Sequence, residues 1–206
     1  MIAIGMRAFA ALIGIGALAA LVVQILGQMQ ANPGTSALET IWVLLRYFTI
    51  WTNLSIGIFF ALSAMRARLV SYSLLSAIVI WILVVGVAYH VLLARVHNPT
   101  GVLALTNEIF HTIIPIAVLA FWAMVRERAN LSITDPLKWI FFPAAYGACA
   151  IARGGLDGVF PYYYMDPGIV GWSGVVASQL QFLLVFLGLG FGIRWLSNRL
   201  GAGSVR

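Results

Sequence analysis

Apolar residues along this chain gather into six long runs, at roughly 8–28, 41–64, 70–94, 103–125, 137–155 and 172–195. Each is near the ~20 residues that a helix needs to cross a bilayer core. No period-two alternation competes with them, so the pattern predicts helices throughout. Turn-rich stretches punctuate the runs: Ala31 to Ser36, His97 to Gly101, and a long connection from Gly154 to Gly168. The expected architecture is an all-α membrane protein, a six-transmembrane-helix bundle forming one integral membrane domain over residues 1–206.

Polar side chains interrupt two runs at similar depth. In the second, Arg46, Thr49 and Asn53 fall within about 60° of one another on a continuous helix. In the fourth, Asn107, Glu108, His111 and Thr112 share a face, with Pro115 expected to loosen the helix one turn on. Thr49 and His111 each lie about 12 Å from the start of their runs, and Gln179 in the sixth falls near that level. Arg153 closes the fifth. Such groups are costly in hydrocarbon, so they should face protein or a wet cavity. Arg46 has Glu108 as one candidate partner. Thr49, Thr52 and Asn53 taken singly need do no more than bond neighbouring helices. Cys149 reads as a small packing residue, Tyr146 as helical packing, and Gly14, Gly16, Gly188, Gly190 and Gly192 as close helix contacts. The tyrosines at 162–164 suit a headgroup belt or the rim of a cavity.

Composition supports the membrane reading. The chain is 62% hydrophobic and 9% charged, with mean hydropathy +1.00, against about a quarter charged in a soluble domain. Net charge +6 records topology and contact with membrane lipids rather than nucleic acid. Arg7, Arg66, Arg68, Arg126, Arg128, Lys138, Arg194, Arg199 and Arg206 fall on one side of the expected spans, and only Arg95 and Arg153 on the other. By the positive-inside rule both termini are expected in the cytoplasm, with the first run retained as an anchor. Arg126 to Arg128 reads as a solvated, headgroup-facing run.

The residue types narrow the chemistry. A hydroxyl beside an imidazole suits nucleophilic catalysis: Thr49 with His111 as base, Thr52 as rival nucleophile, and Asn53, Asn107 or Arg46 as donors. No metal motif, P-loop or Gly-x-Ser-x-Gly elbow is present in the sequence. Two other classes compete: a lipid-binding or transport bundle gated by Arg46 and Glu108, and a haem protein ligated by His90 and His111.

The motifs resemble those of the androgen-induced and androgen-dependent transmembrane hydrolases and their bacterial six-helix relatives. Tyr47-Phe48-Thr49 with Asn53-Leu54 resembles the segment holding that family's threonine nucleophile. Asn107-x-x-x-His111-Thr112 resembles the segment holding its histidine. Arg153, Asp157-Gly158 and the run Pro161 to Asp166 resemble the outer loop of the bacterial members. Three residues separate Thr49 from Asn53 here, against two in the eukaryotic enzymes, and Glu108 stands where those carry histidine. The resemblance implies an intramembrane threonine hydrolase of a bacterial inner membrane, cleaving lipid esters such as fatty acid esters of hydroxy fatty acids. It implies an acyl-enzyme on Thr49, with His111 as general base and no metal or organic cofactor. Arg46, Asn53, Asn107, Glu108, Arg153 and Gln179 are the expected binding, oxyanion or orienting residues.

Overall fold

The computed structural model describes residues 3–125 and 128–202. Arg126, Glu127 and Arg206, which contribute to the expected charge asymmetry, lie outside them. Among the described residues the regular secondary structure is all helical, with no strand, and five helices are long and apolar enough to cross a membrane. This is the make-up of an integral membrane bundle. Large apolar side chains such as Leu12, Ile15, Val87 and Ile116 point outward, where a soluble protein would place charge.

Helix α1 (Ile4–Ala31) packs along α3 (Phe48–Met65). The approach is closest at Gly14, where a Cβ would lie 2.7 Å from the Ala61 nitrogen. Gly190 similarly accommodates Pro136, whereas Gly16, Gly188 and Gly192 face open space. Helix α4 (Tyr72–Ala88) is the hub, with a near-continuous buried stretch from Leu75 to Ile82. A helix apolar on every side belongs in the middle of a bundle. It begins at Ser71, whose hydroxyl accepts from the Leu74 N–H, and continues as a π-helical turn, Tyr89–Leu93.

The fourth expected span is one continuous rod. It comprises α5 (Gly101–Glu108), a π-helical turn (Ile109–Ile113) and α6 (Ile114–Met124). Pro115 brings no N–H to the preceding turn, and helical geometry widens just before it. The expected fifth span resolves into α7 (Asp135–Trp139) and α8 (Phe141–Asp157), the latter 17 residues long. Gly158 ends α8 in the left-handed region (φ 75°), its N–H on the Gly154 carbonyl. A connecting strap then leads to α9 (Pro167–Ala202), which turns at Gly171 (φ 69°, ψ 163°).

The second expected span is not one helix. A short α2 (Ala37–Leu44), opened by a Ser36/Glu39 capping box, stops before residues 45–47, and α3 begins at Phe48. The break is held by side chains: Trp51 Nε1 donates to the Leu45 carbonyl (2.8 Å) and the Tyr146 hydroxyl to the Arg46 carbonyl (2.7 Å). Arg46 therefore does not share a helical face with Thr49 and Asn53, and Thr49 stands in the first turn of α3. Cys149 is exposed rather than packed.

Candidate functional site

The break before α3 and the π-helical turn at 109–113 bring two reactive groups together. Thr49 Oγ1 lies 3.3 Å from His111 Nε2. His111 Nδ1 lies 2.9 Å from the Asn107 carbonyl. A carbonyl only accepts, so Nδ1 carries the proton and neutral Nε2 presents a lone pair to the threonine. The π-helical turn acts as a one-residue insertion, rotating the following side chains by about 100°. Tyr89, from the facing π-helical turn of α4, stacks on the imidazole at 4.1 Å and accepts from Asn107 Nδ2 at 2.6 Å. Imidazole plane and tautomer are thus both fixed.

Beside the pair is a cavity of about 680 Å³. Thr49, His111 and Gln179 line it, with Tyr89, Tyr146, Tyr162 and an otherwise largely apolar wall from α4, α8 and α9. Thr52 does not reach it. That residue is fully buried and its Oγ1 has no partner among the described residues, so of the two threonines Thr49 is the one at the cavity wall. Gln179 Nε2 is buried and has no partner among the described residues. Its Oε1 sits over Gly147, where a Cβ would come within 2.6 Å.

The other expected site residues are placed differently. Arg46 does not meet Glu108. It forms a two-pronged pair with Asp157 (3.2 and 2.8 Å) and donates to the Val159 carbonyl at 2.7 Å. Burial of Arg46 against the start of the strap selects this partner. Glu108 is exposed and accepts from Thr112 (3.0 Å), so it does not orient His111; the backbone of Asn107 does. Thr112 also bonds His90 Nε2 at 3.1 Å. Asn53 is fully buried away from the cavity, its Nδ2 on the Thr49 carbonyl at 2.9 Å. It steadies the first turn of α3. Arg153 lies over the Trp42 ring (3.9 Å) and contacts Asp157 (3.4 Å), its Nη2 without a partner among the described residues. Arg128 is no solvated headgroup residue; it donates to Tyr72 and to two carbonyls.

Sequence reasoning passed over Tyr89 and the role of Tyr146, and it named Asp157 only in the outer-loop resemblance, not as the partner of Arg46. Asp157 had a readable signal, four residues after Arg153 on a helix. Tyr89 had none beyond being an aromatic next to a histidine.

Around Asp157, loss of hydration opposes the charged form. The Val159 N–H and the Arg46 and Arg153 guanidiniums outweigh it and hold the carboxyl below its usual range. In the strap, burial pushes the Tyr162 hydroxyl up to about 12.

No protein-family model, curated protein or solved structure matches the chain.

Proposed function

We propose that this chain is an intramembrane threonine hydrolase acting on lipid esters. One observation carries the reading: a threonine hydroxyl 3.3 Å from the free nitrogen of an oriented imidazole, at the wall of an apolar cavity. Nucleophile, base and orienting group follow the arrangement that activates hydroxyls elsewhere, with the distance expected to tighten once substrate is bound. Thr49 Oγ1 attacks the ester carbonyl carbon while His111 Nε2 takes its proton. Collapse breaks the bond to the alkoxide, which leaves with that proton. Water, deprotonated by His111, then releases the fatty acid and restores Thr49.

The resemblance of the Thr49 and His111 segments to the threonine hydrolases suggests fatty acid esters of hydroxy fatty acids as substrates. Arg46 is committed to Asp157, so recognition of a free carboxylate falls to Arg153, whose Nη2 has no partner among the described residues. In this reading α8 is a sixth crossing and both termini lie in the cytoplasm of a bacterial inner membrane. The basic side chains at the ends of α1, α3 and α9 support that orientation. Acyl chains approach sideways from the outer leaflet.

The test uses purified wild type, Thr49→Ala, Thr49→Ser and His111→Ala. Fatty acid release from a branched ester and labelling by a fluorophosphonate are expected to vanish in Thr49→Ala and to survive in part in Thr49→Ser. Undiminished turnover and labelling in Thr49→Ala would reject the mechanism. The mostly apolar wall also suits a non-enzymatic lipid-binding or transport bundle, which predicts saturable ester binding with no covalent adduct in any of the four proteins.

A further inference from the structure

The base and nucleophile leave one requirement of acyl transfer unmet: donors for the negative charge that develops on the carbonyl oxygen. Thr49 supplies one from its own backbone. It stands in the first turn of α3, where N–H groups have no intrahelical acceptor. The second must come from the cavity wall beside that turn. Two hydroxyls are there, Tyr146 from α8 and Tyr162 from the strap, facing one another next to the Phe48 N–H.

Their protons are not equivalent. Tyr146 gives its hydrogen to the Arg46 carbonyl at 2.7 Å, so toward the cavity it only accepts. The Tyr162 oxygen faces the Phe48 N–H and the Tyr146 hydroxyl, and among the described residues no hydrogen bond commits its own hydrogen, which can turn toward the cavity that Tyr162 lines. With its hydroxyl pushed up to about 12 by burial, Tyr162 keeps that hydrogen at any working pH.

The strap is also built to hold this one ring. Tyr162 stacks on Tyr164 (5.1 Å, 10° between planes) and meets the edge of Tyr47. Tyr164 in turn packs on Phe182 of α9 (5.0 Å), and its carbonyl accepts from Ser178 at 2.8 Å. A donor held in advance costs no reorganisation when charge appears.

We propose that Tyr162 is a catalytic residue, the side-chain half of an oxyanion hole whose other half is the Thr49 N–H. This rests on the hydrolase reading above. Tyr162 donates a hydrogen bond to the tetrahedral intermediate and transfers no proton; the proton from Thr49 goes to His111 and on to the leaving alkoxide. The packing of the strap on α9 is then part of what holds this donor in place.

The experiment compares the full chain in detergent as wild type, Tyr162→Phe, and a form with 3,5-difluorotyrosine at position 162. Tyr162→Phe keeps the ring that Tyr164 and Tyr47 pack against. Its kcat on a branched ester is expected to fall about 10²–10³-fold, the usual loss for one oxyanion donor, with KM and melting temperature near wild type. Difluorotyrosine keeps the shape but makes a more acidic phenol, so kcat should acquire an alkaline limb that wild type lacks. Wild-type kcat in Tyr162→Phe, or a flat profile in the fluorinated protein, overturns the assignment. If Thr49→Ala is inactive while Tyr162→Phe is fully active, the hydrolase stands and this donor falls. If Thr49→Ala is active, both fall.

Discussion

Polar side chains are buried at both ends of this bundle, but only one end leaves them unfinished. At the basic end, Arg128 donates to the Tyr72 hydroxyl (2.7 Å) and to the Trp122 and Ala123 carbonyls, and lies over the Trp122 ring. Tyr72 also bonds Ser197 at 2.7 Å, and Asn198 answers both the N–H and the carbonyl of Leu131. At the other end, Thr52, Asn53, Arg153 and Gln179 each keep a buried atom without a partner among the described residues, and Gln179 carries its orphaned donor to the wall of the large cavity. Buried polar groups are ordinarily satisfied, so an incomplete network beside a void calls for a cause. Hydrophilic residues in an apolar chain do not by themselves mark a site. Incompleteness next to space does.

Mutation should separate the two ends cleanly. On the hydrolase reading His111→Ala removes the base and is expected to cut turnover by about 10⁴-fold or more. It also forfeits the Asn107 carbonyl bond, the Thr49 contact and the stack on Tyr89, so the melting temperature should fall modestly while turnover collapses. Arg128→Ala should do the reverse. It removes the donor to the Tyr72 hydroxyl and to the Trp122 and Ala123 carbonyls and forfeits a ring contact, a loss of about 2 kcal/mol allowing for its partial exposure. Turnover per folded molecule should stay at the wild-type level. A thermal melt and an ester assay on both variants check the comparison. Equal losses of stability and activity in both proteins would erase the distinction between the ends.

A subtler substitution probes how rigidly the site end is held. Gly86 of α4 faces the π-helical turn, and a Cβ there would come within 3.0 Å of the His111 carbonyl and 3.3 Å of Pro115. Neither neighbour is a flexible side-chain tip. Gly86→Ala should therefore push α4 and the His111 turn apart, lowering kcat about ten- to a hundred-fold through misplacement of the imidazole. Binding of a fatty acid in the cavity should change less. Unaltered kcat would mean that the two helices have slack at this level.

Much of this arrangement could be read from residue order, and the failures have physical reasons. The four-residue spacing from Asn107 to His111 puts one above the other on any helix, and depth counting set Thr49 level with them. The break at 45–47 left no local mark. No Gly or Pro lies between Ile41 and Asn53, and the interrupted carbonyls are taken by Trp51, in the next turn, and by Tyr146, far along the chain. Arg46 had two distant carboxylates to choose from, and nothing local distinguishes Glu108 from Asp157. A helical wheel could not choose between Thr49 and Thr52 either, because the choice depends on which side the cavity opens, a property of α4, α8 and α9 rather than of α3.

The smallest expected effect concerns the Asp157 junction, which ties the strap to the site end as Arg128 ties the basic end. Loss of hydration works against the Asp157 charge, but the Val159 N–H, Arg46 and Arg153 prevail and the carboxyl is held below its usual range. A group whose folded pKa is depressed stabilises the fold fully above its unfolded value, near 3.9, and loses that contribution as pH falls through the folded value. The wild type should therefore resist proteolysis of the strap better than Asp157→Asn from neutral pH down to about pH 4. Below that the two should converge, since acid creates in the wild type the neutral side chain that the variant already carries. Exposure screens the pair, so the gap in cleavage rate should be only a few-fold. Timed proteolysis with an acid-tolerant protease gives both limbs of the comparison. A gap that persists undiminished at pH 2 would mean that the substitution acts through something other than the charge on Asp157, and that the strap is fastened by its tyrosines alone.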